Sequence, residues 1–588
     1  MLSIKRTIAS WVAAAVVILL VVQNQFYSKT FGNSFYLWGA VLIFAGFYAV
    51  CTCLTRKCSM GSADDFLLGG AIFLYGVLLT IKKPADFPFA VGVLAVFCIA
   101  GAYLMPQDRL HLERLRLSRT AALLCIGAAG LFAAGFVASI GVLRHWTYAT
   151  PCFDFGIFVQ MYHNMKETLL ATVSCERDRI LSHFAVHVSP IYYLLLPVYA
   201  LFPYAETLQI AQAVVVYSAV IPLYLIARGR GMSCKGTAAI CVAACFYPAL
   251  AGGCMYDIHE NCFLVPLILW MFYFWERKKR LPMFLLALLV LLVKEDAAIY
   301  VAFAGLFVMA DERDYKSGLA LLAMSIGYFL CSTWYLRTYG MGVMTTRYDN
   351  FIPKGGGLKD MLVYLFRNPA LAIAESFNTD TLLFLLEMLL PAAFLPFATR
   401  RISRYTLLLP LMLMNLMPDY VYQHSIFYQY VFGSAAFILY ASVLNLSDLT
   451  GAARRSLALL ALCASLLSFN TLILDKDYYY SVYQAHRETY DALDEILETV
   501  PDDVSVKAST FLVPHLAQRE VIFQMKSEHV TEYVAYDLRY DRKSAGEDVV
   551  ERFEALGYET VEFREGIAAV FRMPDWDDSM ADWLEEDA

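Results

Sequence analysis

The chain has 588 residues, of which 59% are hydrophobic and 17% are charged, and its formal net charge is −7 at pH 7. Soluble domains use roughly 45–50% apolar residues. This composition, with a mean hydropathy of +0.54, therefore excludes an ordinary soluble protein and indicates a lipid bilayer as the main solvent. The acidic balance excludes a nucleic-acid-binding protein, which needs a clustered basic face.

About fifteen apolar segments are predicted to cross the membrane as helices. The first has about the 20 residues that span roughly 30 Å of hydrocarbon, and no small-residue cleavage site of a signal peptide follows it. Lys and Arg concentrate in cytoplasmic loops, so placing the basic clusters inside fixes each direction of crossing. This assignment predicts a cytoplasmic N-terminus and crossings at 8–27, 35–54, 66–81, 86–105, 120–143, 207–227, 236–252, 262–275, 281–293, 297–310, 318–338, 381–398, 405–418, 427–446 and 456–474.

Residues 144–206 are predicted to form a large loop on the outer, extracytoplasmic face. The apolar run 188–202 in this loop is short and contains Pro190 and Pro197. The charge pattern allows only one crossing between this loop and the basic cluster at Arg228. Run 188–202 is therefore predicted to be a re-entrant or interfacial helix, which is tolerated where protein or water covers its backbone.

The C-terminal part of the chain has a different composition. Residues 475–588 contain 28 acidic and 11 basic residues, which leaves 25 acidic and 35 basic residues for the remainder. A helix at 485–498, four strand-like pieces and a helix near 546–556 predict a small, soluble α/β domain that ends in a disordered tail. The expected fold is a mainly α, polytopic membrane bundle with four extra helices in 1–119, a core in 120–474 and an extracytoplasmic domain in 475–588.

Asp154 is the first candidate for chemistry. It lies at the start of an amphipathic segment, directly after the predicted fifth crossing reaches the outer face. A carboxylate there could act as a general base on an acceptor hydroxyl if it comes within about 3 Å. The alternative is a helix N-cap, a common position for Asp.

Two further polar groups are predicted on the same face. His183 and His187 have the i, i+4 spacing that suits a metal or a phosphate, although interfacial histidines with a structural role share this spacing. Asp257, His259 and Glu260 form the densest ionisable cluster of the outer loops. A solvated tight loop usually carries Gly, Asn or Ser instead, which favours a functional role.

Lys294, Glu295 and Asp296 interrupt an otherwise continuous apolar sequence. Lys294 could hold a phosphate as a point charge, and the carboxylates could orient it or bind a cation. The alternative is a self-neutralising surface turn. Arg347, in a glycine-containing loop, could also contact phosphate, although a flexible connector explains the glycines equally well.

Two weaker features complete the outer face. Gln423 and His424 belong to a polar and aromatic set that fits a substrate site or, more simply, an interfacial aromatic belt. Four cysteines could in principle form two pairs there, but spacing alone does not fix pairing, and free thiols are the simpler interpretation. These cysteines are Cys152 with Cys175 and Cys254 with Cys262.

The order of several motifs resembles a known family. FDFGIFVQ, SHFAVHVSPIYYLLLPVY, YDIHEN, LLVKEDAAIY, HSIFYQY and VPDDVSVKASTFLVPHLAQR occur in this order between about 120 and 540. They resemble the predicted membrane proteins of domain of unknown function family 2079. That family in turn resembles the GT-C superfamily of glycosyltransferases, in which an acidic residue of the first large outer loop acts at the active site. Asp154 is the matching position.

The resemblance implies a membrane glycosyltransferase. Such an enzyme takes a sugar from a polyprenyl-phosphate donor and transfers it to a cell-envelope acceptor. A divalent cation is the cofactor that this reaction could use. Asp154 would be catalytic, and the other outer residues named above would bind substrate. Two alternatives are a transporter or lipid flippase, which predicts charges through the membrane midplane and an internal repeat, and a noncatalytic scaffold, in which the outer loops would not converge.

Overall fold

The computed structural model describes residues 4–21, 34–57, 63–82, 87–104, 116–342, 346–352, 357–540, 547–581 and 583. Helices dominate these residues, and a five-stranded sheet lies near the C-terminus. The predicted fold class, a mainly α membrane bundle with a small α/β region, is confirmed. Of the predicted disordered tail, residues 582 and 584–588 lie outside the described residues, whereas Ala581 and Trp583 pack on Phe523.

Four helices precede the core, and two of them pack on a helix from the far end of the chain. Apolar contacts join Leu94 of α4 to Ala464 and Leu467 of α21 (Gly451–Leu472), and ion pairs join α1 to α3. The N-terminal group is therefore packed against the core. Its members are α1 (Ile4–Val21), α2 (Ser34–Lys57), α3 (Ala63–Lys82) and α4 (Phe87–Leu104).

The core begins with a long helix and continues with shorter, often paired ones. Ser118 caps the first core helix by accepting a hydrogen bond from the backbone of Ala121, and Pro248 begins α11. The helices are α5 (Arg119–Trp146), α6 (Ile157–Thr168), α7 (Leu196–Leu201), α8 (Ala205–Ser218), α9 (Val220–Gly229), α10 (Cys234–Cys245), α11 (Pro248–Gly253), α12 (Leu264–Glu276), α13 (Arg280–Leu291), α14 (Ala298–Glu312), α15 (Tyr315–Tyr339), α16 (Leu358–Arg367), α17 (Pro369–Ser376), α18 (Thr379–Leu389), α19 (Leu409–Leu411), α20 (Phe432–Asp448), α21 and α22 (Tyr478–Ala485).

Seven helical segments of the described residues are long and apolar enough to cross a membrane. Each coincides with a predicted crossing, and four further crossings coincide with shorter apolar helices. The remaining four, 8–27, 262–275, 297–310 and 381–398, fall on α1, α12, α14 and α18, which have 18, 13, 15 and 11 residues. The seven long segments are Trp38–Arg56, Arg119–Trp146, Ala205–Gly229, Cys234–Gly253, Tyr315–Tyr339, Gln429–Asp448 and Gly451–Ala485.

The apolar run 188–202 does not form a spanning helix. It contains a short 3-10 helix, Pro190–Leu194, followed by the six-residue α7, and Pro190 and Pro197 each lie in the first turn of their helix. A proline there fits because its missing N–H would have no partner. This arrangement agrees with the prediction that the run does not cross.

The C-terminal region forms a mixed sheet that packs on the bundle. In the order β4-β3-β5-β7-β6, β3 lies parallel to β4 and β5, whereas β7 lies antiparallel to β5 and β6. One continuous hydrophobic core includes residues of the bundle and of this sheet. The elements are α23 (Arg487–Leu497), β3 (Val506–Ala508), α24 (Val513–Leu516), β4 (Ile522–Gln524), β5 (Tyr533–Asp537), α25 (Glu547–Ala555), β6 (Glu559–Arg564) and β7 (Ala568–Arg572); β1 (Thr172–Val173) and β2 (Leu181–Ser182) form a separate hairpin.

Candidate active site

Polar residues from separate loops meet at one end of the bundle. Asp154 Oδ2 lies 3.0 Å from His259 Nε2, and Glu260 Oε1 lies 2.9 Å from Lys294 Nζ. Because His259 and Glu260 are neighbours, these two ion pairs join the loop after α5, the loop between α11 and α12, and the loop between α13 and α14. The structure thus brings together three groups that are distant in sequence and that were predicted to share one face. We call this set the outer polar cluster.

The basic residues assigned to the cytoplasmic side gather at other helix ends. Arg230 after α9 pairs with Glu276 at the end of α12 at 2.8 Å. Arg404 pairs with Asp448 at the end of α20 and lies 3.7 Å from Asp311 of α14. These basic residues are thus held by carboxylates at helix ends, away from the Asp154 loop in sequence.

Asp154 lies in a π-helical turn, Cys152–Gly156, that leads into α6. Its preceding peptide bond is cis. Helix α6 begins at Ile157 with Gly156 as its cap, so Asp154 is not the helix N-cap that the sequence allowed. The Asp154 side chain is 33% exposed, and its carboxylate is therefore held on one side and open on the other.

His259 orients Asp154. Its Nδ1 lies 3.0 Å from the backbone oxygen of Asp257, which accepts a hydrogen bond, so the Nδ1 nitrogen carries a proton. Burial lowers the pKa of His259, but the charge of Asp154 and their hydrogen bond outweigh burial and raise it. Burial likewise raises the pKa of Asp154, but His259 outweighs it and holds that pKa below its ordinary value. Both pKa shifts thus favour an ion pair of imidazolium and carboxylate.

Asp257 is fully buried and has a structural set of partners. Its Oδ1 accepts hydrogen bonds from Arg144 at 3.2 Å and from Gln209 at 2.9 Å. Arg144 also donates to the backbone oxygen of Met255 at 2.6 Å. Asp257, which was predicted to bind substrate, ties the end of α5 to the loop between α11 and α12 in the structure.

Glu260 and Lys294 form the most buried ion pair of the cluster, with side-chain exposures of 1% and 6%. Tyr192 donates to Glu260 Oε2 at 2.5 Å and accepts from the Glu260 backbone at 3.0 Å. Burial raises the pKa of Glu260, but Lys294, the nearby His259 and His187 and the Tyr192 hydrogen bond together outweigh burial and hold that pKa well below its ordinary value. The surface-turn interpretation of Lys294 is therefore wrong, because both groups are enclosed.

The two loop histidines do not form a metal pair. His183 begins a short 3-10 helix, so His183 and His187 do not share an α-helical face. His183 Nδ1 lies 2.9 Å from Glu176, and His187 Nδ1 lies 2.9 Å from Glu295. Within the part of the chain that the structure describes, no three His, Cys, Asp or Glu side chains are arranged to hold a metal ion.

A cavity of about 370 Å³ opens beside Lys294. Its polar lining residues include Asp296, Arg347 and Gln423, whereas His424 does not line it. Most of its other lining residues are apolar. The lining residues are His187, Lys294, Glu295, Asp296, Ile299, Phe329, Arg347, Tyr348, Met361, Leu362, Leu413, Met414, Met417 and Gln423.

Two tyrosines hold Arg347 at this cavity. Its guanidinium carbon lies 4.8 Å from the ring centre of Tyr420 and 4.9 Å from that of Tyr430. Arg347 Nη2 also donates to the Tyr430 hydroxyl at 3.1 Å. Cation–π contacts of this kind fix the guanidinium without neutralising its charge. Arg347 thus remains available to an anion. Lys354, Gly355 and Gly356 of the same loop lie outside the described residues.

The outer cysteines are buried, free thiols. Cys152, Cys175, Cys254 and Cys262 all belong to this class. The Cys175 thiol hydrogen-bonds to Cys152, and this contact and burial raise the pKa of Cys175. Free thiols are also the simpler of the two interpretations that the sequence allowed.

The C-terminal sheet packs on the loop that carries Asp154. The Cys152 N–H donates to the Thr510 backbone oxygen at 2.8 Å, and the Gln160 amide donates to the Glu520 backbone oxygen at 2.8 Å. Lys526 lies 5.2 Å from the ring centre of Phe153, next to Asp154. The backbone around Asp154 is thus held by residues far along the chain.

Several residues that build the site were not found from the sequence. Tyr192 lies in the segment SHFAVHVSPIYYLLLPVY but was not singled out there, and Gln209 and Arg144 were not proposed as site residues. Tyr420 and Tyr430 lie in an aromatic segment that fits an interfacial belt. Their role is to hold Arg347, which lies more than 70 residues earlier in the chain. The sequence signal that could have indicated this role is the density of tyrosines around Gln423.

Comparison with known proteins identifies the family. A family model described as "Predicted membrane protein (DUF2079)" matches residues 144–567. The chain belongs to the DUF2079 family. The DUF2079 match includes every residue of the outer polar cluster and leaves α1–α4 outside. No curated protein matches this DUF2079 chain. Among solved structures, ArnT from Cupriavidus metallidurans, crystallised with undecaprenyl phosphate, aligns with a TM-score of 0.49 and 10% identity, over 79% of this chain and 99% of ArnT.

Proposed function

We propose that the chain is a membrane glycosyltransferase that moves a sugar from a polyprenyl-phosphate donor to an acceptor hydroxyl at the extracytoplasmic face. The proposal includes a GT-C-like core over residues 120–474. The observation that carries it is the partly exposed carboxylate of Asp154, which is joined through His259, Glu260 and Lys294 to a cavity lined by Lys294, Arg347 and apolar side chains.

The cavity suits a phosphate with a lipid tail. Lys294 and Arg347 line the cavity and supply positive charge for a phosphate group. Ile299, Phe329 and Met417 are among its apolar lining residues, against which the first prenyl units would pack. An apolar pocket with a few convergent polar groups is typical of a ligand site.

The reaction transfers the sugar from one oxygen to another. The acceptor hydroxyl gives its proton to the Asp154 carboxylate while its oxygen forms a bond to the anomeric carbon. The bond between that carbon and the phosphate oxygen breaks, and the lipid phosphate leaves with the electron pair. Lys294 and Arg347 stabilise the charge that develops on the leaving phosphate. His259 holds Asp154 in place by its hydrogen bond.

The ion pairs of the described residues favour this proposal over a transporter. Within the bundle, Arg230–Glu276 and Arg404–Asp448 pair near helix ends, whereas Asp154–His259 and Glu260–Lys294 pair in loops, the latter beside the cavity. A transport path calls for such groups near the membrane midplane. A group-transfer enzyme instead needs a solvent-accessible carboxylate close to the cavity that holds the donor, and Asp154 fits this requirement.

The test uses the full chain reconstituted in liposomes with polyprenyl phosphates that carry a tritiated pentose or hexose. Even without the natural acceptor, we expect slow release of free labelled sugar, because water can replace the acceptor hydroxyl. Movement of labelled lipid across the bilayer without any cleavage of the sugar would instead support the flippase and contradict the enzyme.

The proposed orientation predicts a labelling pattern. Asp178 is exposed in the loop that carries Asp154, and Arg313 is exposed between α14 and α15 at the opposite end. In intact cells, a membrane-impermeant maleimide should label Asp178→Cys but not Arg313→Cys. Arg313→Cys should react only after permeabilisation. The unsubstituted chain controls for native cysteines, and the reverse pattern would refute an extracytoplasmic site.

Replacing His259 should change the pH dependence of transfer. The acid limb of kcat/KM reports the pKa of Asp154 in the free enzyme. In His259→Gln, the charge that lowers this pKa is lost and burial, which raises it, remains. We therefore expect the acid limb to move upward by about one pH unit or more. Exposed His486→Gln serves as the control, and an unshifted profile in His259→Gln would exclude the positioning role.

A further inference from the structure

Asp296 is the carboxylate of the cavity without a partner. Its neighbours are engaged: Lys294 pairs with Glu260 at 2.9 Å, and Glu295 accepts from His187 at 2.9 Å and from the Val188 backbone at 3.1 Å. Among the described residues, no hydrogen bond or ion pair holds the Asp296 carboxylate, although it lines the cavity. An acidic side chain in this position faces the space that the donor phosphate would occupy.

The protonation state of Asp296 sets the charge balance of the cavity. With Asp296 ionised, Lys294 and Arg347 face three carboxylates, those of Glu260, Glu295 and Asp296. A bound phosphodiester would add a fourth negative charge in a poorly hydrated space, where like charges repel strongly. A proton on Asp296 would remove this repulsion and would also allow its carboxyl group to donate a hydrogen bond to the phosphate.

We propose that the cavity binds a singly charged lipid phosphodiester together with one proton, which Asp296 takes up. The inference rests on the proposed function for the identity of the donor. It specifies the ligand further, because a diphosphate would bring at least one more negative charge that no group in the cavity balances. Donor affinity should therefore fall as the pH rises.

The surroundings of Asp296 bring its pKa close to neutral pH. Burial raises the pKa of Asp296 to about 6, against the opposing charge of Lys294. Glu295 is held at a pKa of about 2 by His187, which outweighs burial, and burial lowers the pKa of His187. The charged and titratable groups that face Asp296 are Lys294, Glu295, Glu260, Arg347, His187, Tyr300 and Tyr348.

The direction of the effect follows from linkage. Below about pH 6 Asp296 is already protonated in the free protein, so binding takes up no proton. A bound anion raises the Asp296 pKa further. Between the free and bound pKa values, affinity should fall by up to about tenfold per pH unit as the pH rises.

The experiment is isothermal titration calorimetry of the full chain in neutral maltoside micelles with decyl methyl phosphate. This phosphodiester keeps one negative charge from pH 5 to 8, so it does not contribute its own titration. Measurements in two buffers of different ionisation enthalpy give the number of protons taken up. Wild type should bind about tenfold more weakly at pH 7.5 than at pH 6 and should take up close to one proton near pH 7.

Two variants make the test specific. Asp296→Asn should bind with no proton uptake and no pH slope, and at pH 7.5 at least about tenfold more tightly than wild type. Asp349→Asn changes the charge of an exposed carboxylate two residues from Arg347 and should behave like wild type. A flat wild-type profile, an unchanged slope in Asp296→Asn, or no binding at any pH would each overturn the inference. Proton-coupled binding without sugar transfer would refute the proposed enzyme alone, and transfer without proton uptake would refute this inference alone.

Discussion

Asp154→Asn should lower the rate of sugar transfer by about 10²–10⁴-fold, the usual contribution of a positioned general base. The amide is nearly isosteric with the carboxylate, and its oxygen can still accept the hydrogen bond from His259. It cannot take the acceptor proton. The measurement is kcat for release of tritiated sugar from the polyprenyl-phosphate donor by the reconstituted chain.

The matched control for this variant is Asp178→Asn. Asp178 lies in the same loop, is exposed, and has a positive φ of 57° that Asn tolerates well. It should transfer at the wild-type rate. An Asp154→Asn protein with the thermal stability of wild type and a rate within about threefold of it would remove Asp154 from the mechanism.

Lys294→Met should destabilise the fold by about 3–5 kcal/mol, the typical cost of removing one partner of a buried ion pair. The variant leaves the Glu260 carboxylate enclosed without its cation. Burial then raises the pKa of Glu260, so stability should fall as the pH rises from the ordinary glutamate pKa of about 4.3 to that raised value, and should level off above it. Thermal unfolding in detergent between pH 5 and 8 gives both the size and the pH slope.

The double variant Lys294→Met with Glu260→Gln separates the charge from the packing. Because no unpaired charge remains, it should recover most of the lost stability. Lys166→Met is the surface control, since Lys166 and Glu167 form an exposed pair that contributes at most about 1 kcal/mol. If Lys294→Met unfolds like Lys166→Met, the enclosed pair does not support the fold.

The sequence predicted which loops would meet, because charges that interrupt apolar runs are costly at membrane depth and need partners. Lys294 within LLVLLVKEDAAIY and Glu260 within YDIHEN are the clearest examples, and the structure pairs them directly. The seven long apolar helices were also predicted, because length and hydropathy can be read from a local stretch of sequence.

The partners themselves could not be predicted. His183 and His187 have metal spacing in sequence, but the chain there turns in a 3-10 helix, and each ring contacts a different glutamate. Asp257 and His259 are two residues apart, yet they have different partners. Asp257 forms an ion pair with Arg144, and His259 forms one with Asp154. Such choices depend on tertiary packing between segments about 100 residues apart, which no local pattern encodes.

The contact between Cys152 and Thr510 has a consequence for biosynthesis. The turn that presents Asp154 leaves the ribosome early, but Thr510, which accepts a hydrogen bond from its backbone, follows more than 350 residues later in the turn after β3. During insertion, the membrane helices can assemble before this hydrogen bond forms. In a nascent chain the turn of Asp154 would therefore lack this support, and the proposed transfer would begin only after the C-terminal region has folded onto the bundle.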